Sequence, residues 1–66
     1  MSKIKLEVTI YTFDEESFCY TGYNPETDVV KAGEGVVSIT LLNDHDKHIF
    51  NIYNLSEVKQ VFVREL

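Results

Sequence analysis

The residue types that could bind a metal or catalyse a reaction are concentrated in one stretch, Asp44-His45-Asp46-Lys47-His48. Imidazoles and carboxylates are common zinc ligands, and they also act as general acids and bases. A metal-binding protein that uses this cluster is therefore one hypothesis. Metal ligands must, however, be held in place by surrounding contacts, and Asp residues also favour tight turns. Because apolar runs flank the cluster, we favour a hairpin turn and expect no metal and no cofactor.

The two apolar runs beside this cluster predict paired strands. Residues 36–42 and 48–53 are rich in β-branched and aromatic side chains, which favour strands. With residues 43–46 as the loop, Ile39 faces Phe50, and apolar positions face apolar positions along the pair. A loop one residue longer would place Ile39 opposite a polar residue and mix the two faces. The pattern therefore favours the four-residue loop.

A second hairpin is predicted near the N-terminus. Four aliphatic residues alternate there with polar ones, as in a half-buried strand, at Ile4, Leu6, Val8 and Ile10. With residues 14–17 as the turn, Phe13 faces Phe18 and Tyr11 faces Tyr20. The four aromatic rings then share the face opposite the aliphatic one. This end of the hairpin is therefore predicted to be apolar on both faces.

Two structural explanations of the aromatic end are open. The hairpin can curl so that both faces enter one core, or the rings can form an exposed surface that contacts another chain. Exposed aromatic surface typically marks an interface. The predicted contact residues are Tyr11, Phe13, Phe18 and Tyr20, with the acidic residues Asp14, Glu15 and Glu16 beside them.

The C-terminal segment fits two structures. As a helix, residues 55–66 would carry an apolar stripe. As a strand, Val61 and Val63 would share one face after a short turn at residues 55–57. The concentration of valines favours the strand. We therefore predict a mostly-β protein with a small five-stranded antiparallel sheet curled into a barrel or sandwich. The alternative is an α+β protein with a four-stranded antiparallel sheet and a C-terminal helix.

Composition limits the partners that this chain can have. Residues 1–66 form one small domain at most, and eleven acidic against six basic residues make the net charge −5. Nucleic-acid binders depend on clustered lysine and arginine, so we expect no direct contact with nucleic acid or with a membrane. No apolar run approaches the roughly 18 residues of a membrane span. The N-terminal residues alternate polar and apolar, and we expect a cytoplasmic protein.

Catalysis has little support in the sequence. The single cysteine, Cys19, lies within a predicted strand, where we expect a buried and unreactive thiol. The pair Glu15 and Glu16 is adjacent, so the two carboxylates point apart in any regular structure. We therefore expect no enzymatic activity.

The leading hypothesis is a small acidic interaction or regulatory protein. It would self-associate as a homo-oligomer, or dock on a larger protein, through the aromatic hairpin face. An alternative is an acidic inhibitor of phage or prophage type that mimics nucleic acid on a host protein. Abundant Phe, Tyr, Ile, Asn and Lys agree with an AT-rich genome of that kind.

Overall fold

Six strands form one antiparallel sheet in the computed structural model, which describes residues 3–66. The strands are β1 (Lys5–Thr12), β2 (Ser17–Tyr23), β3 (Val30–Gly33), β4 (Val36–Leu42), β5 (His48–Asn54) and β6 (Val58–Glu65). A single 3-10 turn, Leu55–Glu57, joins β5 to β6. Within residues 3–66 no helix is long and apolar enough to cross a membrane.

The sheet curls because two groups of strands meet at one corner. β1 pairs with β2 on one side and with β6 on the other, while β4 pairs with β5 along its whole length. The opposite edge of β4 holds the short strand β3 and, through the single pair Tyr23 and Leu42, the end of β2. Five strands in the order β6-β1-β2-β4-β5 thus form a half-barrel. The predicted five-stranded antiparallel sheet is confirmed.

The core lies between the inner faces of β1 and β4. Alternate residues of each strand are almost completely buried, namely Leu6, Val8 and Ile10 on β1 and Val37, Ile39 and Leu41 on β4. Strand residues alternate between faces, so the polar residues between them lie on the outer face. The predicted aliphatic face of the first strand is therefore correct from Leu6 onwards, whereas Ile4 lies just before β1 and is exposed.

The C-terminal alternative is resolved in favour of the strand. After the turn at Leu55–Glu57, β6 runs antiparallel to β1, and Val61 faces Ile10 across the pair. A helix there would have left this edge of β1 without hydrogen bonds. Strand β3 was not predicted, because it is only four residues long and ends in the glycine-containing turn Gly33-Glu34-Gly35.

The predicted register of the β4–β5 hairpin is wrong by one residue. Leu42 pairs with His48 rather than with Lys47, and Ile39 faces Asn51. Hydrogen bonds within the turn outweigh the pairing of apolar side chains across the two strands here. The Oδ1 atom of Asn43 accepts hydrogen bonds from the backbone N–H groups of His45 at 2.8 Å and Lys47 at 3.1 Å. The five-residue loop closed by these bonds turns Phe50 and Ile52 to the outer face, where both are exposed.

The register of the first hairpin differs from the prediction by three residues, which also reverses the faces of one strand. Tyr11 pairs with Ser17, and Ile10 pairs with Phe18, so Phe13 lies in the turn and faces no strand residue. Thr12 closes this turn, because its N–H donates to the carbonyl of Glu16 at 2.9 Å. The four predicted aromatic residues consequently do not share a face.

Candidate functional site

Three aromatic rings line one surface groove on the outer side of β1, β6 and the first hairpin turn. The rings of Tyr11 and Phe62 meet edge to face with centroids 5.6 Å apart. Phe13, at the turn, is 64% exposed. The groove has a volume of about 390 Å³, and Tyr11, Phe13 and Phe62 all line it. We call it the outer aromatic groove.

Carboxylates surround one end of the outer aromatic groove. Asp14, Glu15 and Glu16 are all exposed in the turn, and the last two line the groove with Lys59. The ion pairs of residues 3–66 join Lys3 to Asp46 and Glu7 to Arg64, so none of the three turn carboxylates is paired in the described chain. This rim is negative and its charge faces solvent.

A further ion pair lies on the same outer face of the sheet. Arg64 Nε donates to Glu7 Oε1 at 2.7 Å, across the pairing of β6 with β1. The hydrogen bond from the guanidinium lowers the pKa of the Glu7 carboxyl, and it raises that of Arg64. Because these two charges neutralise each other, the unpaired negative charge near the rings comes from the turn.

The other two predicted contact residues belong to the inner face. Phe18 packs against Tyr53 of β5 with ring centroids 5.8 Å apart, and the hydroxyls of Tyr20 and Tyr53 are hydrogen-bonded. These contacts join β2 to β5 across the open side of the half-barrel. Of the two explanations for the aromatic hairpin, curling into a common core therefore fits Tyr20, and exposure fits Tyr11 and Phe13. Phe18 lies on the inner face but is still 38% exposed.

The Asp44–His48 stretch is divided between a turn and a strand. Asp44 and His45 are exposed at the tip, whereas His48 begins β5. Asp46 accepts a hydrogen bond from Lys3 Nζ at 2.5 Å, which raises the pKa of that lysine. Asp46 and His48 line a second groove, of about 610 Å³. Within residues 3–66 no three His, Cys, Asp or Glu side chains form a metal-binding group.

The expectation of a buried thiol is wrong. Cys19 is exposed, because the observed register pairs it with Thr9 on the outer face. Its sulfur is 3.9 Å from the Thr9 hydroxyl.

Phe62 was not among the predicted contact residues. Its position depends on β6 pairing with β1, which brings it opposite Thr9 and diagonal to Tyr11. Paired residues of the two strands are 46 to 59 positions apart in the sequence, and no local pattern specifies which edge a C-terminal strand joins. The only available signal was that Phe62 and Arg64 would share a face of that strand.

No family model matches this chain, and no curated protein or solved structure shows significant similarity to it. Its function is therefore inferred from the residues and geometry described above.

Proposed function

We propose that this protein is a non-enzymatic interaction protein that docks on another protein through the outer aromatic groove. One observation carries the proposal: exposed rings and unpaired carboxylates lie together at the same end of the sheet. Tyrosine and phenylalanine are enriched in the buried centres of interfaces, and charged residues are found at their rims. The full predicted contact set, Tyr11, Phe13, Phe18, Tyr20, Asp14, Glu15 and Glu16, stays a prediction. The present proposal uses its outer-face and turn residues and adds Phe62.

Charge favours a partner other than a second copy at this groove. Two copies meeting here would bring the acidic turns of Asp14, Glu15 and Glu16 together, and like charges across an interface cost binding free energy. A partner with an apolar centre and a basic rim would instead be attracted. The net charge of −5 acts in the same direction at long range.

The groove lining suits binding better than catalysis. It offers aromatic rings, hydroxyls, carboxylates and the amino group of Lys59. A nucleophile in an enzyme is activated by a nearby base within hydrogen-bonding distance. In the described chain the Thr12 hydroxyl, the buried polar residue at the groove, is bonded to the backbone of Glu16 instead.

The proposal is tested by locating the contact and then weakening it. A photo-crosslinking residue in place of Phe13 captures the partner in cells that carry the protein, and binding is then measured with purified partner. We expect Phe13→Ser and Phe62→Ser each to raise the dissociation constant about tenfold or more, as for truncated aromatic anchors. Leu66→Ser is the matched control, because Leu66 is 59% exposed but follows the end of β6 that is farthest from the turn, outside both the groove and β5. Unchanged binding by both groove variants would overturn the proposal.

A second function is favoured by the unpaired carboxylates of the first turn. We propose that the partner's basic surface is one that otherwise binds nucleic acid, so that the protein acts as a competitor. Binding should then weaken with salt, and the triple change Asp14→Asn, Glu15→Gln, Glu16→Gln should reduce the salt dependence. Nucleic acid should displace the protein from its partner. Salt-sensitive binding without such displacement would reject mimicry and leave docking in place.

A further inference from the structure

Strand β5 has one hydrogen-bonding edge that no other described strand occupies. It pairs with β4 alone. In an antiparallel pair, alternate residues direct their N–H and C=O groups to the partner. The bonds from Asn43 N to Lys47 O and from Leu55 N to Gly35 O, both 2.9 Å, fix which residues do so. Asn51 therefore bonds towards β4, whereas the backbones of Phe50 and Ile52 point away from the sheet.

The side chains of this edge do nothing to prevent pairing. Sheets normally protect an edge with charged residues, prolines or bulges. The seven residues of β5, HIFNIYN, include no Asp, Glu, Lys, Arg or Pro. Its register with β4 is uninterrupted. Phe50 and Ile52 are 58% and 57% exposed on the outer face, beside the unpaired backbone.

The edge at the other end of the sheet is protected. Strand β6 contains Lys59, Arg64 and Glu65, and its pairing with β1 shifts register near Lys59. Charges and a bulge are the devices that discourage sheet extension. Of the two long outer strands, β5 is therefore the one built to accept another strand.

We propose that β5 pairs antiparallel with β5 of a second copy, which joins two half-barrels into one continuous sheet. A twofold axis between the two Asn51 residues places Phe50 of each copy opposite Ile52 of the other, and His48 opposite Asn54. Every outward backbone group of these residues then has a partner. Sliding the pairing by two residues would put Ile52 opposite His48 and Phe50 opposite its own copy, or Phe50 opposite Asn54 and Ile52 opposite its own copy. Either register keeps one apolar pair instead of two.

The self-complementary register is what identifies the occupant as a second copy. The strand carries no formal charge, so two copies do not repel each other there. This dimer is independent of the proposed docking function, since it uses β5 and leaves Tyr11, Phe13 and Phe62 uncovered. Either proposal can fail without the other.

The test combines mass measurement with amide hydrogen exchange on the full chain. Sedimentation equilibrium over a wide concentration range should show a monomer–dimer equilibrium. Ile52→Lys should raise the dimer dissociation constant about tenfold or more, a change of about 1.4 kcal/mol. The matched control is Val63→Lys, because Val63 is 46% exposed on the protected edge, and it should leave the equilibrium unchanged. Circular dichroism establishes that both variants are folded.

Amide exchange identifies the contact directly. In the wild-type protein, exchange of the Phe50 and Ile52 N–H groups should slow as concentration rises. A protein that stays monomeric at every concentration overturns the proposal, as does a dimer that survives Ile52→Lys. If both variants are monomers, concentration-dependent protection at Phe50 and Ile52 supports the β5 contact, and its absence overturns it.

Discussion

Gly22 lies where β2 crosses the end of β4, and no larger residue fits there without movement. A Cβ atom at this position would be 2.8 Å from both the Leu41 Cβ and the carbonyl oxygen of Leu42. The latter is backbone and cannot rotate away. The absence of a side chain at Gly22 therefore lets the two halves of the sheet meet at the corner.

We predict that Gly22→Ala lowers the free energy of unfolding by about 1–3 kcal/mol, the usual range for overpacking. Gly33→Ala is the control, since nothing lies within 4 Å of the Cβ it would add, and it should change stability by less than about 0.5 kcal/mol. Urea denaturation followed by circular dichroism measures both. Equal effects would show that the crossing is not tightly packed.

The chemical character of several side chains depends on which face of a strand they occupy. Cys19 is exposed and His48 lies on the outer face because the first hairpin pairs three residues, and the β4–β5 hairpin one residue, away from the apolar match. Tyr11 and Phe18 separate to opposite faces for the same reason. A strand alternates its side chains, so a slip of one residue reverses the environment of every one of them.

At the level of secondary-structure elements, the turns determine the register of the hairpins. Each of the three contains a residue other than glycine in the left-handed region: Glu15 at φ 65°, Glu34 at φ 52° and Asp46 at φ 59°. In the first turn Glu15 precedes Glu16, and in the third turn Asp46 precedes Lys47; the carbonyl groups of Glu16 and Lys47 accept the hydrogen bonds that close the loops. Each loop between paired residues is therefore one residue longer than predicted. The gain in backbone hydrogen bonds at Thr12 and Asn43 outweighs the loss of facing apolar pairs.

The β3–β4 turn permits a direct test of the cost of placing a residue other than glycine in the left-handed region. Glu34 and Gly35, at φ 52° and 80°, form a two-residue turn of the type that prefers Asn-Gly. We predict that Glu34→Asn raises the free energy of unfolding by about 0.5–1 kcal/mol, because asparagine tolerates the left-handed region. Thermal and urea denaturation measure the gain.

Removal of a carboxylate is a competing explanation for any such gain. Glu26→Asn removes the same charge at an exposed position without positive φ, and it should leave stability unchanged. An equal gain in both variants would attribute the effect to charge and not to backbone conformation.

The whole molecule has a very small core. Six aliphatic residues form the buried core within residues 3–66, against ten large apolar residues that are exposed. A domain of this size has only about 3–5 kcal/mol of stability from such a core. Contacts between the halves, such as the Tyr20–Tyr53 hydroxyl bond, and association of copies would both add to it.

We predict that Ile39→Ala costs about 2–5 kcal/mol and leaves much of the protein unfolded at 25 °C, because Ile39 is completely buried. Ile52→Ala, on the exposed side of β5, should cost less than about 1 kcal/mol in dilute solution. Denaturant titration of each variant checks this. Similar costs at the two positions would instead indicate the register in which Ile39 and Ile52 share the core face.

The amino-acid sequence by itself determined five of the six strands. Alternation specified the buried face of β1, β-branched content specified β4 and β5, and valines specified β6, since these are local properties of each segment. The acidic turn and two of the three aromatic residues of the candidate site, Tyr11 and Phe13, were also predicted from the sequence.

Only the tertiary structure decided how those strands pair. Hairpin register depends on hydrogen bonds in the turns, whose free energies are close to those of the facing pairs that they displace. The partner of β6 depends on a contact between distant segments. Consequently Phe62 joined Tyr11 and Phe13, while Phe18 and Tyr20 moved to Tyr53 on the other face. A pattern of period two identifies two faces, but the neighbouring strand decides which surface each face becomes.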